Sequence, residues 1–160
     1  MIRARQAWLA SLFPLIAACG GGAPPPPVEA RQFEDPGFVT DGDFEMRYGT
    51  VLAGDLPDEV ATRHGIERRN DRMVINLSVL QRRAGEVPVP VEAEVAGTWR
   101  GLVSEPRTLD FRTVAAHEAV SYLAVVPVVD GEVILLELRA RPPGATRPLE
   151  ARITRRFDTR

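Results

Sequence analysis

The sequence is poor in the side chains that most often build covalent, metal or catalytic sites. Cys19 is the only cysteine in 160 residues, so the chain can form no intramolecular disulfide and must be held together by its core. The only histidines, His64 and His117, are far apart in sequence and form no spaced ligand pair. Lysine is absent, and we interpret the all-arginine set of 20 basic residues as the coding bias of a GC-rich genome.

Long apolar runs and an excess of positive charge are also missing. The apolar stretch from Ala7 to Ala18 is broken by Ser11 and Pro14 and is too short to cross a bilayer. The formal net charge is -2, and removal of an N-terminal segment containing two arginines would make the chain still more acidic. This balance argues against a nucleic-acid partner and offers no polybasic patch for anionic lipids.

The N-terminus has the charged and then apolar pattern that predicts an export signal. Two arginines precede the apolar stretch, as in secretory signal peptides. The residues Ile16-Ala17-Ala18-Cys19 that end it resemble the lipobox of bacterial lipoproteins, which implies that Cys19 is acylated. An ordinary signal-peptidase site beside a cysteine is the alternative. Because glycine and not aspartate follows at position 20, the sequence is similar to the sorting pattern of outer-membrane lipoproteins.

These features predict three segments. Residues 1–18 are the signal peptide, 19–38 are the lipidated Cys19 with a Gly/Pro-rich tether, and 39–160 form a single β-rich domain. Acyl chains on Cys19 would attach the protein to a membrane. We therefore expect a lipid anchor in the bacterial cell envelope, on the periplasmic face of the outer membrane.

Beyond the tether, apolar residues alternate with polar ones over about seven short segments, which is typical of strands. The segment from Pro57 to His64 is different, with proline at its first turn, acids beside it and Gly65 after it, and predicts a short helix. This pattern predicts an all-β, antiparallel sandwich of immunoglobulin-like architecture with one helix after the first strand; a small β-barrel is the alternative. The expected inward positions are Phe44, Met46, Tyr48, Met73, Ile75, Leu77, Val79, Val91, Ala93, Val95, Gly97, Trp99, Leu109, Phe111, Thr113, Leu149, Ala151, Ile153, Arg155 and Phe157.

Two connections follow from turn chemistry. Asp130-Gly131 predicts a hairpin joining strands at 122–129 and 132–140, with a bulge or longer loop because Pro127 lacks an N–H. A single strand is expected through Leu109, Phe111 and Thr113, followed by a connection at 115–119. On the strand at 73–80 the second face is half apolar, which suits an inner strand partly covered on both sides.

Few residues qualify for chemistry. Ser78 and Ser121 lie in predicted strands and Ser104 in a predicted turn, and no Gly-x-Ser-x-Gly elbow occurs. We interpret His64 as a residue of the helix C-terminus, where a basic side chain interacts favourably with the helix dipole. His117 falls in a predicted loop. Asp41-Gly42-Asp43 is better interpreted as a turn than as a calcium site, which needs about six or more oxygens. We predict no catalytic residue, no metal and no cofactor.

The densest basic cluster is Arg68, Arg69 and Arg72. These side chains form a possible binding loop for an anionic group. A solvated loop neutralised by Glu67 and Asp71 is the simpler interpretation.

Seven stretches between about Asp43 and Arg139 follow one another in an order and spacing that we recognise. They are Leu56–Ala61, His64–Arg68, Asn70, Asn76–Val79, Val91–Gly97, Leu109–Arg112 and Ala119–Leu123. Together they resemble a bacterial family of exported proteins, domain of unknown function 4426. That resemblance implies an exported β-rich domain and supplies no activity, cofactor or catalytic residue. In place of the family's usual His-Tyr-Asn-like run, this sequence has Arg47-Tyr48-Gly49.

The functional hypothesis is a membrane-tethered, non-enzymatic module that binds another envelope component through a sheet edge or the Arg68 to Arg72 loop. The competing hypothesis is a hydrolase that uses carboxylates near the helix, such as Asp55, Asp58 or Glu59. A structural spacer with no specific ligand is a third possibility.

Overall fold

The computed structural model describes residues 37–116 and 119–158. In this part of the chain, ten strands pair antiparallel in two sheets, and the sheets do not close into a barrel. A 3-10 turn, Ala53–Asp55, and one helix, α1, Asp58–Arg63, lie between the second and third strands. The strands are β1 Phe38–Asp41, β2 Phe44–Leu52, β3 Arg72–Gln81, β4 Val89–Pro90, β5 Glu94–Gly101, β6 Arg107–Thr108, β7 Arg112–Ala116, β8 Ala119–Pro127, β9 Val133–Arg141 and β10 Leu149–Arg156.

The first sheet has the order β1-β2-β3-β8-β7, with β4 beside the end of β3, and the second has the order β10-β9-β5-β6. This confirms the predicted all-β sandwich. The ten strands of the described residues are three more than the seven expected, and the additional ones, β1, β4 and β6, are only four, two and two residues long. Such short segments carry too little alternation to be recognised in sequence.

The main core lies between the two sheets and is built by period-two alternation. Met73, Ile75, Leu77 and Val79 of β3 are all fully buried, as their spacing predicts. From the other sheet, Ile134, Leu136 and Leu138 of β9 are at most 2% exposed and belong to the same cluster. Among the predicted inward residues, Leu149, Ala151 and Ile153 of β10 and Phe157 just after it are buried as well.

The predicted hairpin at Asp130-Gly131 was wrong. A turn does form, with the Glu132 N–H donating to the Val129 carbonyl at 3.0 Å. The strands that flank it belong to different sheets, since β8 pairs with β3 and β7, and β9 pairs with β5 and β10. The two strands therefore contribute to the core from opposite sides instead of exchanging hydrogen bonds. The missing N–H of Pro127 therefore does not require a bulge. Pro127 is the last residue of β8, where it lies opposite Arg72 of β3 and not opposite a residue of β9.

The predicted strand through Leu109 and Phe111 was also wrong. The chain leaves the second sheet after β6 and enters the first sheet at β7, so Leu109 to Phe111 form a crossing between sheets. Leu109 is buried even so, at 4% exposure, because it crosses the core. The segment expected to be a connection instead includes strand residues, with Ala116 paired with Ala119.

The predicted turn at Asp41-Gly42-Asp43 is present, with a φ of 56° at Gly42, and it joins β2 to β1, a strand that the sequence did not predict. The Arg147 guanidinium, from the segment before β10, donates to Asp41 Oδ1 at 2.7 Å. Asp41 raises the pKa of Arg147. Among the described residues no helix is long and apolar enough to cross a membrane.

Candidate functional site

The outer face of the first sheet carries a second, smaller core. Val74 of β3 and Leu123 of β8 point away from the main core, yet they are buried at 3% and 7% exposure. Ala53, Leu56 and Ile66, which cover them, come from the insertion between β2 and β3, which contains the 3-10 turn and α1. This arrangement accounts for the half-apolar second face that the sequence predicts for β3. Ala53 completes the buried set, and Val51, Leu56, Ile66 and Val114 pack against it.

Helix α1 is six residues long, too short to be stable without external contacts. Its sequence favours a helix locally, with acids in the first turn, Arg63 in the last and Gly65 at a φ of 58° just after it. Two arginines fix it in place. Arg68 pairs with Asp58 in the first turn, and Arg112 of β7 donates to the His64 carbonyl at the other end.

Hydrogen bonds join the two ends of the insertion between β2 and β3. The Gly54 N–H donates to the Arg69 carbonyl at 3.0 Å, and Arg68 Nη2 donates to the Gly54 carbonyl at 2.7 Å. A Cβ at Gly54 would lie 1.8 Å from Asn70 Oδ1, so a larger residue here would have to displace the Asn70 side chain. These hydrogen bonds hold the beginning of the insertion, at Gly54, against its end, at Arg68 and Arg69. Helix α1 lies between these two points and over the sheet.

Between α1 and the sheet lies a groove of about 350 Å³, within the roughly 300–1,000 Å³ range of small-molecule sites. Most of its walls are apolar, and three polar side chains, His64, Asn76 and Ser121, converge on it. Asn76 is exposed although it is on a central strand, because its register partner Gly49 leaves open space beside it. The lining residues are Val51, Leu56, Val60, His64, Ile66, Val74, Asn76, Val114, Ala119, Ser121 and Leu123. We call this the α1 groove.

A second, smaller cavity of about 260 Å³ adjoins the α1 groove. Ile66 contributes to the walls of both cavities. The smaller cavity is lined by two guanidinium groups, Arg72 and Arg112, with Glu67 as its one acidic residue. We call it the basic cavity.

The arginines proposed from sequence as a binding loop are largely paired with their neighbours. Arg68 holds Asp58 and the Gly54 carbonyl. Arg69 binds both oxygens of Asp71, at 2.8 and 2.6 Å, which lowers the pKa of Asp71 and raises that of Arg69. Arg72 is 3.9 Å from the Asp71 carboxylate and differs from the other two in lining the basic cavity.

The carboxylates proposed for a hydrolase do not converge. Asp58 and Glu59 are 85% and 80% exposed, pair with Arg68 and Arg63, and do not line the α1 groove, and neither does Asp55. Within the described residues, no group of three or more His, Cys, Asp or Glu side chains could hold a metal ion.

Of the predicted serines, Ser121 lines the α1 groove and Ser104 accepts a hydrogen bond from the Gly101 N–H at 2.8 Å. Ser78 is half-buried on β3. Cys19, the signal peptide, residues 19–36 of the tether and His117 lie outside the described residues.

Sequence reasoning missed the α1 groove and the role of Arg112. His64 is at the helix C-terminus as expected, but its contribution to the groove could not be inferred from that position. One signal was available, because the stretches that carry the family resemblance include most of the groove lining, among them Leu56, His64, Asn76 and Ser121.

Comparison with known proteins identifies one protein family and a solved structure with a similar fold. The family model described as domain of unknown function (DUF4426) matches residues 38–158. A crystal structure of a DUF4426 family protein from Pseudomonas aeruginosa PAO1, at 2.09 Å resolution, is similar with a TM-score of 0.62 and 24% sequence identity, over 76% of this chain and 93% of that chain. At this identity the likeness concerns the fold alone. No curated protein matches the chain.

Proposed function

Because the chain belongs to the DUF4426 family, whose name assigns no activity, we propose from its own residues that it is a membrane-tethered, non-catalytic binding module of the bacterial cell envelope. The tether is Cys19 with the Gly/Pro-rich segment after it. The binding site is the α1 groove.

The anchor rests on the sequence. A charged and then apolar segment ends in Ile16-Ala17-Ala18-Cys19, and a glycine run and a proline run follow, a composition typical of linkers. More than one acyl chain gives stable membrane attachment. Gly20 supports sorting to the outer membrane, with the domain on its periplasmic face.

The observation that carries the binding role is the α1 groove itself. Apolar walls with a few convergent polar groups are typical of sites that bind small molecules. Arginine contacts hold α1 at both ends, and a groove of about 350 Å³ remains between the helix and the sheet. A non-catalytic role is supported because the nearby carboxylates point to solvent and pair with arginines.

The anchor is tested by metabolic labelling with a radioactive fatty acid and by membrane fractionation. Wild-type protein is expected to incorporate label and sediment with membranes, and Cys19→Ala is expected to do neither. A Cys19→Ala protein that still sediments with membranes would contradict the anchor.

The groove is tested with the full chain carrying Cys19→Ala, purified without detergent. A fluorescent probe that brightens in apolar surroundings is expected to bind, and Ala119→Trp, which fills the groove from an exposed position, is expected to abolish most of the signal. Thr154→Trp is the matched control, since Thr154 is exposed on β10 of the other sheet. Equal probe binding by both tryptophan variants would refute the groove as the binding site.

A further inference from the structure

The α1 groove and the basic cavity form one amphipathic surface. The outward side chains of β8 run from Ser121 and Leu123 in the groove to Val125 in the basic cavity, two residues apart along one face of the strand. Ile66 lines both cavities, so the two adjoin at its side chain. An apolar ligand body in the groove can therefore continue directly toward the two arginines.

The positive charge of the basic cavity, at one end of this surface, favours binding of an anion. Arg112 uses one N–H on the His64 carbonyl, and among the described residues it has no carboxylate partner. The carboxylate partner of Arg72 is distant, with Asp71 Oδ1 at 3.9 Å from Arg72 Nε. The acidic lining residue Glu67 is itself 3.8 Å from the Arg69 guanidinium, so the cavity keeps a positive balance.

The size of the groove limits the apolar part. If each methylene takes roughly 30 Å³, comparable with the share of one water molecule in the liquid, a groove of about 350 Å³ holds a single chain of at most roughly twelve carbons. Two acyl chains of a phospholipid exceed that volume.

We infer that the α1 groove binds a free, single-chain fatty acid, with its alkyl chain between α1 and the sheet and its carboxylate against Arg112 and Arg72. This inference rests on the proposed function and names its ligand class. A guanidinium matches a carboxylate with two parallel hydrogen bonds, which makes Arg112 the group that distinguishes the acid from a neutral chain of equal length.

Titration calorimetry near pH 7 tests the inference, with decanoate and decanol as probes and the full chain carrying Cys19→Ala as the protein. Decanoate is expected to bind about tenfold or more tightly than decanol, as loss of a charge-assisted hydrogen bond predicts. Arg112→Gln is expected to remove most of the preference for decanoate over decanol and to leave decanol affinity unchanged. Arg112→Lys should retain part of the preference.

Since Arg112 also holds α1, a second variant separates ligand binding from helix position. Arg72→Gln is expected to weaken decanoate severalfold without touching the His64 carbonyl. Arg152→Gln, on the outer face of the other sheet, is the control and is expected to change nothing.

Equal affinity for decanoate and decanol, unaffected by Arg112→Gln and Arg72→Gln, would overturn the fatty acid while leaving the groove as an apolar site. Tighter binding of a two-chain phosphatidic acid than of decanoate would also overturn it. Failure of decanoate, decanol and the fluorescent probe alike would overturn the proposed function itself.

Discussion

Replacing Gly97 with alanine is expected to destabilise the domain by steric conflict inside the second sheet. Gly97 is in the central strand β5, opposite Leu138 of β9. A Cβ there would lie 2.7 Å from the Glu137 carbonyl oxygen and 2.9 Å from Leu109 Cδ1, against an ordinary contact of 3.4–4 Å. The first neighbour is backbone and cannot rotate away, so the strands must separate by about 0.7 Å or the contact must stay compressed.

The magnitude follows from two opposing effects. Overpacking of this kind costs about 1–3 kcal/mol, and the entropy advantage of alanine over glycine in a strand returns about 0.5–1 kcal/mol. Gly49→Ala isolates the steric part, because Gly49 is in the inner strand β2 and a Cβ there meets nothing within 4 Å. The difference between the two variants is therefore expected to be about 1–3 kcal/mol, with Gly49→Ala equal to or more stable than wild type.

Urea unfolding followed by circular dichroism measures both free energies, and thermal unfolding gives a second estimate. At about 4 °C per kcal/mol for a domain of this size, the midpoints should differ by roughly 4–12 °C. If the free energies of the two variants agreed within about 0.5 kcal/mol, the close approach at Gly97 would not be a stability determinant, and the steric reasoning would fail.

Two further predictions concern charged pairs. Glu45 is buried at 6% exposure; its carboxylate accepts a hydrogen bond from Arg47 Nε at 2.6 Å and lies 3.2 Å from Arg82 Nη1. Arg47→Met should lower the free energy of unfolding by about 1–2 kcal/mol, because the Glu45 carboxylate stays buried with one partner fewer. Glu45→Gln should lower it by about 1 kcal/mol or less, because the arginines that lose their partner are exposed. Urea unfolding would contradict this argument by giving the reverse order. Arg69 lowers the pKa of Asp71, so the stability from this pair is present above the ordinary Asp pKa of about 4 and is lost as pH falls through the lower folded value. The stability difference between wild type and Asp71→Asn should therefore shrink on acidification through that window, and a difference independent of pH would refute the assignment.

Local patterns predicted the faces of strands well. The alternation in β3 and β10 identified buried residues correctly, because a side chain on a pleated strand points to one of two faces and only the apolar set can face the core. The helix was predicted from proline, acids and a glycine stop, and these signals act within one turn of the chain.

Strand neighbours were predicted less well. Asp130-Gly131 specifies a tight turn, but a tight turn can connect strands within one sheet or strands that face each other across a core. The alternation of apolar residues is the same in both arrangements. The crossing at Leu109 was missed for a related reason, since a buried apolar residue marks the core and not the sheet to which it belongs.

The candidate site depended on contacts between distant segments. Arg68 and Arg69 looked like one basic loop in sequence, and their carboxylate partners neutralise much of that charge in the fold. Arg112 carried no signal of its own beyond the resemblance, and it meets the insertion only because β7 lies at the edge of the first sheet.

The sequence by itself determined an all-β chain with one short helix, the buried faces of its strands and an N-terminal segment that predicts a lipid anchor. These properties depend on residues close together along the chain. The tertiary structure alone decided which strands pair, that α1 lies over the outer face of the first sheet, and that a groove with two arginines at its end lies beneath it. Strand pairing and groove formation require contacts between residues far apart in sequence, and a period-two pattern specifies the face of a strand without specifying its neighbour.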